Sequence, residues 1–159
     1  MNSDQRLTVL DAALTQIGKP YIWGAKGPER FDCSGLATFC LIEAGFKKLE
    51  LLFSPVEIQA NKITAKNWMH FCNADRLMRN LPKTPEPTMG DLCFYGRKKR
   101  STNIAIATHV VIYLGDGQII GANGGNSLTT SPQPGAKVSK KKSYRYRPDF
   151  LQFGSLVTL

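Results

Sequence analysis

The hydrophobic pattern of this chain changes period once, across the proline-rich stretch LPKTPEPTMG at residues 81–90. Upstream, apolar residues recur at helical spacing. Leu7, Leu10, Ala13, Leu14 and Ile17 form one stripe over residues 5–17, ended by Gly18. Residues 33–44 read as a second, largely buried helix through Leu36, Phe39, Cys40 and Ile42, with Asp32 as its N-cap and Gly45 as its stop. Residues 54–80 read as one or two weaker helices. Downstream, DLCFYG, THVVIYLG and QIIGAN alternate or run apolar at strand length, and Asp116-Gly117 marks a tight hairpin turn. The tail SYRYRPDFLQF has the pattern of one more strand. Helices first and strands later specify an α+β fold, with N-terminal helices packed on a C-terminal antiparallel β-sheet. The 159 residues contain no repeat, so a single domain over residues 1–159 is expected, large enough to bury one core.

Within this frame the cysteines separate into two kinds. Cys33, Cys40, Cys72 and Cys93 include no CxxC pair, and His70 and His109 are the only histidines, which argues against a metal site. Seven residues on one helix put Cys33 and Cys40 roughly 10 Å apart along the axis, beyond the roughly 7 Å that a disulfide spans. Cys40, Cys72 and Cys93 sit among apolar neighbours and read as small buried hydrophobes. Cys33 stands in RFDCSGLATFC, at the first turn of the second helix. A helix N-terminus favours thiolate over thiol, and its unpaired N–H groups can receive an oxyanion. Ser34 and Gly35 are small, which lets a substrate carbonyl approach. His109 opens the strand HVVIYLG, whose side chains 109, 111 and 113 share one face. That face is expected to look at the buried helix and so at Cys33. Taken singly, Cys33 reads as a core cysteine and His109 as a strand-end histidine. Taken together they read as a thiol nucleophile and its base, in the Cys-then-His order of papain-like proteases.

Three blocks, GKPYIWGAKGPERFDCSGLATFCLIEAGF, MGDLCFYG and HVVIYLGDGQIIGA, follow one another within residues 14–126 and resemble those of the NlpC/P60 cysteine peptidases. The ending RYRPDFLQF resembles the tail of phage-encoded, single-domain members. The resemblance implies a papain-like α+β fold and a thiol protease that degrades the cell wall by cutting peptidoglycan stem peptides, usually between γ-D-glutamate and a diamino acid. No metal and no cofactor is implied. Carried over by position, Cys33 is the nucleophile, His109 the base, and Tyr21 a tyrosine beside the nucleophile and the cleft. Asp32 and Ser34 fall where several members bind the free amine at the substrate's end; for Asp32 a plain N-cap fits equally well. Trp23 reads as loop packing and Asp91 as a turn-fixing residue. One position departs from the family. The third polar residue, often a histidine on the strand after His109, falls on Gly121 here, and glycine cannot orient a ring. Asn123 lies two residues on and shares that strand face, so it is the candidate orienter, with water or a backbone carbonyl as alternatives. His70 carries no expected role.

Charge bears on partners. The chain holds 21 basic and 12 acidic side chains for a net charge of +9, and residues 81–159 carry 11 of the basic ones but 4 of the acidic ones. RKKR at 97–100 and KKK at 140–142 suit an anionic cell-wall polymer or are simply solvated. Nucleic acid would call for more aromatic residues interleaved with the charges than KKKSYRYR supplies. No segment is long and apolar enough to span a membrane. The N-terminus lacks a basic region followed by an apolar one, so the expectation is synthesis in a cytoplasm without a signal peptide and action on the wall after release or delivery. Two other functions fit the same residues: an amidase or acyltransferase on the same scaffold, or a non-catalytic, basic wall- or nucleic-acid-binding module.

Overall fold

A computed structural model of the chain describes residues 1–47, 74–98 and 100–155. The first helix, α1, spans Ser3–Leu14. It starts two residues before the predicted stripe because Asn2 and Gln5 form a capping box: the Asn2 side chain accepts the Gln5 N–H at 2.8 Å, and Gln5 Oε1 accepts the Asn2 N–H at 2.9 Å. Its buried face also differs from the predicted one. Val9, Ala13 and, just beyond the helix, Gln16 are buried, whereas Leu7, Leu14 and Ile17 are exposed. The second helix, α2, spans Cys33–Glu43, close to expectation. It is apolar nearly all round and lies at the centre of the main core, beside Leu36, Ala37, Cys40 and Leu41 of its own sequence. Residues 74–80 are helical, as expected; residues 54–73, with Cys72 and His70, lie outside the described residues.

Six antiparallel strands follow. They are β1 (Lys83–Thr84), β2 (Leu92–Lys98), β3 (Ala105–Gly115), β4 (Gln118–Asn123), β5 (Lys137–Lys141) and β6 (Phe150–Gly154), in the spatial order β1-β6-β2-β3-β4-β5. The β3–β4 hairpin turns at Asp116 and Gly117, with φ of 51° and 79°, the left-handed pair that a two-residue turn requires. β5 takes in Lys140 and Lys141 of the lysine run, for which the sequence shows no strand pattern. It is a strand at the sheet edge in which only Val138 is buried, and its lysines keep that edge from pairing further. The tail supplies a strand only from Phe150 on; Tyr144–Tyr146 form a 3-10 turn instead.

Both faces of the sheet are covered, which explains the unbroken apolar runs. Leu92, Phe94, Val110, Ile112, Ile120, Ala122 and Val138 join the helices in the main core. Cys93, Tyr95, Val111, Ile119 and Phe153 form a second cluster, roofed by Tyr113, Tyr144, Tyr146 and Phe150. This corrects the expected facing of β3: Val110 and Ile112 look at the helices, whereas His109, paired with Tyr95, shares the other face with Val111 and Tyr113. VVIYL is apolar on both faces, so its pattern cannot assign them. A bulge just upstream, where Tyr95 pairs with His109 but Gly96 pairs with Ala107, brings Ala107 onto the same core face as Val110.

Asp91 fixes a turn, as expected. It accepts hydrogen bonds from the Thr88 N–H at 2.7 Å, Ser155 Oγ at 2.7 Å and Arg6 Nη1 at 2.8 Å, tying α1 to the start of β2.

Candidate active site

Cys33 is the first residue of α2 and is buried. Asp32 precedes it in extended conformation and caps the helix, its Oδ1 accepting the Gly35 N–H at 2.6 Å. That bond removes the Gly35 N–H from the donors that can meet an oxyanion. Gly35 serves the adjoining loop rather than a substrate, because a Cβ there would collide with the Ala25 carbonyl.

Asp32 does more than cap. Lys26 Nζ lies 3.2 Å from its Oδ1, 3.0 Å from its Oδ2 and 3.1 Å from Ser34 Oγ, and Ser34 Oγ donates to Asp32 Oδ1 at 3.1 Å. The two residues expected to hold a substrate amine therefore hold an ammonium of this chain. Lys26 also lines a cleft of about 380 Å³ with Trp23, Ala25, Arg30 and Thr130. Trp23 itself is buried, in keeping with loop packing.

Tyr21 is buried in the loop before α2. Burial raises its pKa far above the ordinary phenol value, and negative charge on Cys33 and then Asp32 adds to the rise. Burial likewise pushes Tyr146 up, against the opposing pull of Arg147, with Cys33 again contributing to the rise. Arg147 donates to Asp149 through Nε at 2.9 Å and Nη2 at 2.8 Å, and its guanidinium stands 5.6 Å from the Tyr95 ring centre. Burial would lower the Arg147 pKa, but the hydrogen bond and charge of Asp149 outweigh it. Tyr21, Asp32, Tyr146 and Arg147 thus share one electrostatic neighbourhood with Cys33.

His109 stands at the bulge in β3 and is buried. Its Nε2 lies 3.2 Å from Asn123 Oδ1 and 2.8 Å from the Tyr146 hydroxyl, and that hydroxyl donates to Asn123 Oδ1 at 2.8 Å. The Asn123 amide can face only one way. Its Nδ2 donates to the carbonyl oxygens of Gly121 and Ser139, each at 3.1 Å, and carbonyls only accept. Oδ1 must therefore face His109, Nε2 must carry the hydrogen, and Nδ1 is left as the basic nitrogen. Gly121 cannot take the orienting role. Any side chain there would run into Val111, so the strand needs glycine.

Sequence reasoning brought forward Cys33, His109, Asn123, Tyr21, Asp32 and Ser34. It missed Lys26, Ser139, Tyr146 and Arg147. Arg147 and Tyr146 lie in the tail RYRP, whose alternation of basic and aromatic residues was the only local signal. The other thiols among the described residues behave as core. Cys40 and Cys93 are free and buried; burial, then Glu43, pushes the Cys40 thiol up to about 12, and burial raises Cys93 further.

The NlpC/P60 family model matches residues 18–147. The chain is 31% identical over 150 residues to the bifunctional muramidase/DL-endopeptidase CwlT of Bacillus subtilis (strain 168), an alignment that covers 94% of this chain and 36% of that protein. It therefore spans about a third of that relative's length. Among solved structures, the NlpC/p60 domain of the peptidoglycan hydrolase SagA superposes with a TM-score of 0.56 at 25% identity, covering 98% of this chain and 100% of that one. RipD from Mycobacterium tuberculosis, a non-catalytic NlpC/p60 domain protein adapted to peptidoglycan binding, superposes with a TM-score of 0.62 at 17% identity, covering 98% of this chain and 100% of that one. That last likeness is one of fold.

Proposed function

Because the chain belongs to the NlpC/P60 family, we propose that it is a cysteine peptidase that hydrolyses peptidoglycan stem peptides at the γ-D-glutamyl–diamino acid bond. The observation that carries this reading is the fixed Asn123 amide, which makes Nδ1 of His109 the basic nitrogen. A buried imidazole held in one tautomer, together with a thiol at a helix N-terminus, is the equipment that acyl transfer needs. The SagA domain comes from a peptidoglycan hydrolase and CwlT is a bifunctional muramidase/DL-endopeptidase, which supports it.

The reaction runs in two halves. Nδ1 of His109 takes the Cys33 proton, and the thiolate attacks the amide carbonyl carbon. Backbone N–H groups at the start of α2 receive the oxyanion, and the helix dipole favours it. Collapse breaks the C–N bond, and Nδ1 gives its proton to the departing amine. The thioester that remains is attacked by water, which loses its proton to Nδ1; the acid product leaves and the thiol re-forms. Arg147, close enough to Cys33 to feel its charge, adds positive potential for the thiolate. The exposed lysines of β5 offer an anionic wall polymer a surface.

The test is mass spectrometry of purified muropeptides incubated with the protein and with Cys33→Ala. Cleavage between D-glutamate and the diamino acid, absent in the variant, is the expected result. Equal product from both proteins would sink the reading, and release of the whole peptide from the glycan would replace it with an amidase.

A further inference from the structure

We propose that Tyr146 is a positioning residue of this reaction, which together with Asn123 holds the His109 ring in its productive tautomer; the inference deepens the peptidase reading and rests on it. The Tyr146 oxygen lies 2.8 Å from Asn123 Oδ1 and 2.8 Å from His109 Nε2. A phenol has one hydrogen. Asn123 Oδ1 is an acceptor, so the 2.8 Å approach of two oxygens requires the hydroxyl to donate there. Its lone pairs are then what it presents to His109, and the short contact to Nε2 requires Nε2 to donate. No other placement of the two hydrogens satisfies both contacts. Tyr146 is also nearer than Asn123 to the ring nitrogen, 2.8 against 3.2 Å.

The surroundings keep the hydroxyl in place. Tyr146 ends the 3-10 turn, its ring meets Tyr95 edge-on at 5.6 Å, and Lys141 Nζ stands 6.0 Å from its ring centre. Tyr95 is in turn held by a bond from its hydroxyl to the Tyr144 carbonyl at 2.7 Å. Burial keeps the Tyr146 phenol protonated. When Nδ1 takes the Cys33 proton, the imidazolium still donates from Nε2, and Tyr146 and Asn123 accept it together. The strand residue Gly121 has no side chain for this task, and the tail supplies it.

Tyr146→Phe removes the hydroxyl and keeps the ring; Tyr146→Leu removes both. Imidazole 15N NMR of the intact protein reads the tautomer directly, with His109→Gln assigning the signal against His70. The wild type should show His109 with hydrogen on Nε2, and Tyr146→Phe should populate the Nδ1–H form. In the same variant kcat on muropeptides should fall about tenfold, the worth of one hydrogen bond, with KM unchanged and the acidic limb of the pH–rate profile displaced. Tyr146→Leu should add a loss of thermal stability that Tyr146→Phe lacks. An unchanged tautomer and pH profile in Tyr146→Phe would overturn the proposal, as would losses that only track stability across the two variants. A wild type that cuts no muropeptide would count against the peptidase reading, and the NMR comparison alone would then decide the role of Tyr146.

Discussion

Asn123 turns its amide oxygen toward His109 and its amide nitrogen away, toward the carbonyls of Gly121 and Ser139. The side chain therefore links the His109 ring to the β4–β5 pair, and its removal should be felt in both places. In Asn123→Ala, turnover should fall roughly tenfold or more, less than in His109→Ala, because an orienting group supports a role that the base performs. Stability should drop by about 1 kcal/mol for the lost hydrogen bonds. The double variant with Tyr146→Phe should lose less than the product of the single effects, since both act on one nitrogen. Wild-type turnover in Asn123→Ala would leave a Cys-His dyad.

Stability should decline at alkaline pH, and Cys40 should account for part of the decline. Its thiol titrates near 9.0 when exposed and is pushed up to about 12 by burial in the fold. Between those values the unfolded chain has lost a proton that the folded chain keeps, so the unfolded state gains as pH rises. The contribution is fully present below pH 9 and fades toward 12, by at most about 1.4 kcal/mol per pH unit for this one group. Urea unfolding from pH 8 to 10.5 should show a shallower decline in Cys40→Ala than in the wild type, on a baseline lower by about 1 kcal/mol for the cavity. Parallel slopes would remove Cys40 from the account.

Asp91 should matter to the fold and not to the chemistry. Its carboxylate is buried and holds Arg6, Ser155 and the Thr88 N–H. Asp91→Ala should cost about 3 kcal/mol, since it strands Arg6 and a backbone donor. Calorimetry should show the lower melting temperature, and kcat well below that temperature should match the wild type. A loss of kcat in protein that is still folded would place Asp91 in the reaction.

What was legible in the sequence was local. The α2 boundaries, the Asp32 cap and the Asp116-Gly117 turn each depend on a few neighbouring residues, and each appears where its residue types put it. The six-stranded sheet was only partly legible. β5 hides because an edge strand with one buried side chain has the composition of a solvated run. The facing of β3 differs from expectation because the strand is apolar on both sides and its pattern marks neither as the core side. The site divided along the same line. Asn123 is reached from His109 by counting along a hairpin, but Tyr146 lies 37 residues from its partner and arrives through the fold of the tail. No periodicity encodes such a meeting.

Lys26 bears on substrate choice. Asp32 is fully buried, and its carboxylate is shared among the Gly35 N–H, Ser34 Oγ and Lys26 Nζ, whereas the Lys26 side chain remains 30% exposed and borders the cleft. A peptide amine that sought Asp32 and Ser34 would have to displace that ammonium, exchanging one charge-assisted set of bonds for another with little net gain. In Lys26→Met the acceptors keep their buried position and lose their cation. Stem peptides with a free terminal amine should then gain about tenfold in kcat/KM, a fraction of the worth of one charge-assisted hydrogen bond. Peptides whose first amine is acylated carry no cation for the site and should gain nothing. The variant should also be less stable, since Asp32 loses its counter-ion. Millimolar methylammonium should restore stability and compete with the free-amine peptides. Equal kcat/KM for free-amine peptides in wild type and Lys26→Met, in folded protein with Cys33 still reactive, would show that Asp32 and Ser34 brace the start of α2 and bind no substrate amine.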